Sequence, residues 1–370
     1  MALTVAALLL VPATFACGYY LLFTALGGRR PAPVPAGGPA HSFAVLVPAH
    51  NEEATLATAV RSVRDSDYPA GLVRVLVVAD NCTDYTAAVA RQLGAEVLER
   101  ADPVNRGKGY ALAAGIPLAL AGGADAVLVL DADCELAPDA LRRLDAALTA
   151  GADVVQAEYV YRDPAGTPSG LVTVVGAAIE NAVSAGRSAA GLSVSLRGTG
   201  MAFRRGVLER VPWAAFGLTE DAEQSARLLA AGVRVRFVRG AEVRSDVPPT
   251  ADALWTQRRR WRAALTAGRA GAVERWLGSK PLVLAHLGLT AGVVIALAPW
   301  LPAAFPVWAG GLLAGTAVVY GRAVRRCGGS VGGVARAAGV TARLAGLTLG
   351  GLRAKRATWE RTPRAEATQG

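Results

Sequence analysis

The chain has 370 residues, 52% of them hydrophobic, and a net charge of +10. That is too apolar for an ordinary soluble protein, so the composition predicts one globular domain plus membrane segments. A basic balance suits nucleic acid, an anionic membrane surface or an anionic substrate. Here the arginines concentrate beside apolar stretches, which favours the membrane. No aromatic–basic interleaving of the single-strand-binding kind is present, so a nucleic-acid partner is set aside. Cys17, Cys82, Cys134 and Cys327 lack metal-ligand spacing, and His41, His50 and His286 form no cluster. This argues against disulfides and zinc, and fits a reducing cytosolic face.

Residues 1–28 contain no charged side chain, and Arg29 and Arg30 follow. About 20 apolar residues cross a bilayer core, so this is read as an N-terminal transmembrane helix. A cleaved signal peptide would need a basic n-region, which is missing. The arginine pair places the end of the span in the cytoplasm and the N-terminus outside. Residues 29–40 form a Pro/Gly linker. A globular domain is expected over 41–278. Its β-branched runs at 43–48, 73–80, 96–100 and 126–131 read as buried strands. The Ala-rich stretches 52–65, 84–93 and 107–121 read as helices between them. This alternation predicts α/β architecture with a parallel, Rossmann-like sheet. Residues 281–321 carry no Asp, Glu, Lys or Arg, so two transmembrane helices are expected over 279–323, broken near APWLP (298–302). Arg322, Arg325 and Arg326 then return the chain to the cytoplasm. Residues 324–370 are expected to be cytoplasmic or interfacial, with 331–356 an interfacial helix or a weak fourth span.

The chemistry lies in an ordered set of polar landmarks. Asp131 and Asp133, in DAD, directly follow a buried strand. Strand alternation would put both carboxylates on one side at its C-terminal end, where open α/β sheets bind ligands. Two hard oxygen ligands there suit Mg²⁺ or Mn²⁺ carrying substrate phosphates; the bland reading is a strand end with solvated acids. VLVPAHNEE, which contains Pro48, Asn51 and Glu52, and VLVVADNCTD, which contains Asp80, each take a strand through a turn into a helix. Amides at such turns meet nucleotides, and Asp80 is suited to a base or ribose. Asn51, Asp80 and Asp84 equally suit helix caps. Lys108, in NRGKG between flexible glycines, is placed to reach a phosphate or simply to be solvated. Glu220 and Asp221, in LTED, open a helix; Asp221 suits a general base, or the pair suits a first turn capped by Thr219. In QRRRWR, Gln257, Arg260 and Trp261 either face a site or belong to an amphipathic helix with Arg at headgroups and Trp in the aromatic belt.

In this order the residues resemble the membrane-associated glycosyltransferases of family 2, on the side that includes cellulose and hyaluronan synthases. The similarity runs from VLVPAHNEE through QRRRW and loosely into TWERTPR. It implies a GT-A fold, a UDP-sugar donor and a divalent cation, Mg²⁺ or Mn²⁺. By carry-over, Pro48, Asn51, Glu52, Asp80 and Lys108 would bind the donor, with Asp80 on the uridine. Asp131 and Asp133 would hold the metal–diphosphate, and Asp221 would be the catalytic base. Gln257, Arg260 and Trp261 would clamp the pyrophosphate and border the acceptor channel. Gly198, Thr199, Gly200 and Glu220 would line the acceptor site. Two features depart from the pattern. Ala79-Asp80-Asn81 stands where the wider family often has Asp-Asp-Gly, leaving one of its two acids. Three expected spans are fewer than processive synthases carry, which favours a partner membrane protein, a homo-oligomer or a lipid acceptor over a self-built channel.

The expected function is that of an inverting, multi-pass enzyme of the bacterial plasma membrane with a cytoplasmic catalytic domain. It would move a hexose or N-acetylhexosamine from a UDP-sugar to a glycan or lipid acceptor. The rival readings are a nucleotidyl or polyprenyl-phosphate-linked transferase, and a non-catalytic membrane scaffold that binds a nucleotide-sugar.

Overall fold

The computed structural model describes residues 1–28, 31, 33–34, 37–248, 250, 252–258 and 276–351. The chain divides into two compact units, one built on a sheet and one helical. The chain opens with α1 (Ala2–Leu26) of the helical unit.

The sheet unit begins with β1 (Phe43–Ala49), α2 (Leu56–Arg64), β2 (Val73–Asp80), α3 (Thr86–Gln92), β3 (Glu96–Arg100), α4 (Lys108–Ala121) and β4 (Ala126–Val129). The strands lie parallel in the order β3-β2-β1-β4. β1, β2 and β4 are almost wholly buried, which is why they read as unbroken apolar runs rather than alternating ones. α2 shows the complementary pattern: Leu56, Ala59, Val60 and Val63 form its buried stripe.

The second half is built differently. β5 (Glu135–Leu136), α5 (Ala140–Thr149), β6 (Val154–Arg162), β7 (Met201–Arg204), α7 (Arg205–Arg210), α8 (Glu220–Ala230) and β8 (Val235–Asp246) follow, with α6 (Pro168–Ala189) between β6 and β7. β7 runs antiparallel to both β4 and β6, so the sheet is mixed and not parallel throughout. The reason is local. The turn before β7 sends the chain back along β4, pairing Met201 with Val129. That reversal sets residues 198–200 beside the end of β4.

The helical unit contains most of α6, together with α9 (Lys280–Ala296), α10 (Ala304–Arg326) and α11 (Val331–Gly351). Its core joins Leu10, Cys17 and Tyr20 of α1 to Ile179 and Val183 of α6, Leu287 of α9, and Leu312 and Val319 of α10. By length and composition α1, α6 and α10 are long and apolar enough to cross a membrane, while α9 is shorter at 17 residues. α6 falls inside the stretch expected to be globular. It carries Glu180 and Arg187 and packs half of its most apolar window inside the protein, so its composition alone resembles that of a buried helix.

Candidate active site

β4 ends at Val129, and Asp131–Cys134 form a tight turn closed by the Cys134 amide on the Asp131 carbonyl (3.0 Å). The carboxylates of Asp131 and Asp133 therefore meet through a turn, not through the strand alternation expected from sequence. Ligand atoms of Asp131, Asp133 and Cys134 lie within 4.8 Å of one another. Burial, then the Asp131 carboxylate, pushes Asp133 up to about 6. Asp133 is open to solvent as a residue, so this pressure comes from a concave surface and not a sealed interior. Burial, with Asp133 and Asp131 beside it, raises the Cys134 thiol well above its ordinary value. Asp131 and Asp133 offer two hard carboxylates, which fit Mg²⁺ or Mn²⁺. Like-charge pressure between the two acids is what a divalent cation relieves.

Lys108 opens α4 and pairs with Asp131. Its ammonium also donates to the Gly198 carbonyl (2.9 Å) and lies 3.8 Å from Glu220. Burial works against its charge, but Asp131 and Glu220 outweigh that and raise its pKa. The glycines beside it are more than flexible. A Cβ on Gly109 would fall 2.1 Å from the Ala215 carbonyl oxygen, so α4 approaches the 215–216 backbone only because that side chain is missing.

The turn before β7 completes the cluster. Thr199 is buried, and its hydroxyl accepts the Asp131 amide at 3.1 Å. Sequence reasoning missed Gln156 of β6. It is fully buried, donates to the Thr199 carbonyl (2.9 Å) and accepts the Arg197 amide (2.9 Å), fixing this turn from beneath. Gly200 has φ +67°, and a Cβ there would sit 2.7 Å from the Ala157 Cβ. Gly200→Ala is expected to cost about 2–4 kcal/mol, from left-handed backbone strain and overpacking together. Denaturant unfolding checks this; an unchanged midpoint would show that the turn yields.

Glu220 and Asp221 start α8. Thr219 makes no side-chain cap, so the capping reading fails for it. Glu223 instead accepts the Phe216 and Gly217 amides (2.9 and 3.0 Å). Burial raises Glu220 to about 7, with Lys108 opposing and Asp221 adding to the rise. Burial raises Asp221 as well, with the Ala222 amide and Lys108 holding it down. Lys108, Asp131, Asp133, Glu220 and Asp221 are thus one electrostatic cluster.

A second group forms at the ends of β1 and β2. Asp80 is buried and accepts from Arg100 (2.6 Å) and from the Asn81 side chain (2.9 Å). Arg100 also holds Asp102 (2.8 Å) and lies over the Tyr110 ring, which stacks on Phe216. Arg100 was not singled out from sequence, where it ends a strand as an ordinary basic residue. Asn51 and Asn81 both adopt positive φ. Asn51 accepts the Thr83 amide (2.8 Å), the Glu52 carboxylate accepts from Thr55 (2.8 Å), and Asp84 accepts the Thr86 amide (3.0 Å) as the helix-capping reading expects. Pro48 lies in β1, half-buried. Gln257 lies in the helical stretch 252–258 of the other unit, half-buried, while Arg260 and Trp261 lie outside the described residues.

The family model described as glycosyltransferase like family 2 matches residues 39–264. The chain is 28% identical over 226 residues to the probable glycosyltransferase YdaM of Bacillus subtilis, covering 59% of this chain and 53% of that one. It is 32% identical over 247 residues to the beta-monoglucosyldiacylglycerol synthase of Synechocystis, covering 64% and 50%. The chain thus spans about half the length of the curated relatives it matches. Among solved structures, it resembles the mannosyltransferase PcManGT from Pyrobaculum calidifontis, determined with GDP-Man and Mn²⁺. The TM-score is 0.61 at 21% identity, covering 95% of this chain and 99% of that one.

Proposed function

This chain belongs to the glycosyltransferase-like family 2 and has its GT-A fold, and on that footing we propose that it is an inverting glycosyltransferase. It transfers a hexose or N-acetylhexosamine from a UDP-sugar to a lipid or glycan hydroxyl at the cytoplasmic membrane face. The observation that carries this reading is the joining of the acids of DAD and of TED through one lysine, Lys108. A donor diphosphate needs cationic support at its leaving oxygens, while an acceptor hydroxyl needs a base nearby. Asp131 and Asp133 would hold a divalent cation, Mg²⁺ or Mn²⁺, which would neutralise the charge of the diphosphate. Lys108 adds a fixed positive charge beside it. Asp221 takes the proton from the acceptor hydroxyl. The acceptor oxygen then bonds to the anomeric carbon as the bond to the diphosphate breaks on the opposite face. Glu220 and the 198–200 turn border the acceptor.

Asp80 binds the uridine, positioned by Arg100. Arg100→Met should weaken UDP binding about tenfold, the worth of one charge-assisted contact, with turnover at saturating donor nearly unchanged. Calorimetric titration with UDP reads this directly; unaltered affinity would remove Asp80 from the nucleotide site. A lipid acceptor is favoured because a relative makes a glucosyl-diacylglycerol and the helical unit has membrane-length apolar helices.

The testing experiment is release of nucleoside diphosphate by purified protein in lipid. It uses a panel of UDP-sugars with GDP-mannose as comparison, Mg²⁺ or Mn²⁺, and Asp133→Ala as control. Metal-dependent UDP release, raised by lipid and lost in the control, is expected. Release of GDP alone would overturn the uridine assignment, and turnover in the control would overturn the metal site.

A further inference from the structure

The helical unit holds an open-sided cavity of about 300 Å³ between α1, α6 and α10. Its walls are small and apolar, with Ala25, Ile179, Ala182 and Val319 prominent, while Arg322 and Arg326 line it from α10. Four residues apart on a helix, these guanidiniums share one face. The elements around them supply no counter-charge. α1 has no acid, and no Asp or Glu occurs in residues 281–351. The acid of α6 nearest its middle, Glu180, is held by Lys280 at 2.6 Å. Among the described residues neither Arg322 nor Arg326 has an ion-pair partner.

Two guanidiniums with no ion-pair partner among the described residues, beside apolar walls in helices of membrane-spanning length, define a ligand with an anionic head and an apolar tail. We infer that this cavity binds an anionic phospholipid, with its phosphate on Arg322 and Arg326 and its first methylenes against Ala25, Ile179 and Ala182. Guanidinium forks match phosphate oxygens in pairs, and basic pockets between membrane helices take lipid headgroups in this way. The cavity is also at the lower end of the volumes that small-ligand sites occupy. The site belongs to the helical unit alone and holds whether or not the bound lipid is the sugar acceptor. The competing explanation is that arginines at a helix end attract any anionic surface. Arg325 separates the two, because it lies on the same turn of α10 but does not line the cavity.

The test is native mass spectrometry of the full chain in neutral detergent, titrated with phosphatidylglycerol or phosphatidylcholine. The unaltered protein should retain phosphatidylglycerol at least about tenfold more tightly than phosphatidylcholine. The Arg322→Gln/Arg326→Gln protein should lose about tenfold or more in phosphatidylglycerol affinity. Ala182→Leu, which fills the cavity and keeps both charges, should do the same. Arg325→Gln should stay within about twofold of the parent. Arg322→Lys, which keeps the charge but not the fork, should fall between. Equal losses in Arg325→Gln and the double variant would overturn the proposal in favour of surface attraction. Undiminished binding in Ala182→Leu, or displacement of the lipid by millimolar inorganic phosphate, would also overturn it.

Discussion

Asp221→Asn should lower sugar transfer by about 10²–10⁴-fold while leaving fold and donor affinity intact. The amide is isosteric, and its oxygen still accepts the Ala222 amide that Asp221 accepts at 2.8 Å. What it loses is the capacity to take a proton. Burial raises the Asp221 carboxyl above its ordinary range, with Lys108 opposing that rise. The base is competent only when ionised, so turnover should climb with pH on the acid side as that proton leaves. Turnover and UDP affinity are to be measured together across pH. An Asp221→Asn protein that keeps both turnover and the acid limb would transfer the role of base elsewhere, with Glu220 the next group in the cluster.

The parts of this site legible in the sequence are those that local physics dictates. β2 and β3 were expected over 73–80 and 96–100 and occur there: β2 is a buried, largely apolar run with turn residues after it, whereas β3 is a partly exposed edge strand. The closeness of Asp131 and Asp133 was legible because the two acids stand two residues apart just after a buried strand. Arg100 and Gln156 were not legible. Their partners lie 20 and 43 residues away, at Asp80 and Thr199, and no local pattern marks a residue whose task is set by a neighbour in space. The direction of β7 was hidden for the same reason. A four-residue apolar strand reads alike either way along β4, and only the turn at Gly198–Gly200 sets its sense. α6 shows the converse limit: an apolar helix buried against other helices and one facing lipid have overlapping compositions, so a stretch expected to be globular also has the length and hydropathy of a span.

Lys108→Met should act on stability as well as turnover, and in a pH-dependent way. Lys108 is the cation among Asp131, Glu220 and Asp221, and its side chain is only 23% exposed. Breaking a largely buried pair costs about 3–5 kcal/mol, reduced here to about 2–3 because the site is open to solvent on one side. The sign with pH follows from Glu220, which sits at about 7 when folded against an ordinary 4.5. Its neutral form is the one folding favours, so the stability it contributes is complete below 4.5 and lost as pH rises through 7. Without Lys108, Glu220 and Asp221 rise further, and the penalty of ionising them grows. The gap between variant and parent should therefore be wide at about pH 8 and narrow at about pH 6, measured by denaturant unfolding. A gap equal at both would mean that Lys108 contributes packing rather than charge. Mn²⁺ should narrow the gap at the higher pH, since a divalent cation on Asp131 and Asp133 replaces part of the missing positive charge. In catalysis no such rescue is expected: on the proposed mechanism Lys108 supplies its charge where the sugar diphosphate departs, so turnover in Lys108→Met should stay about 10²-fold down at saturating metal.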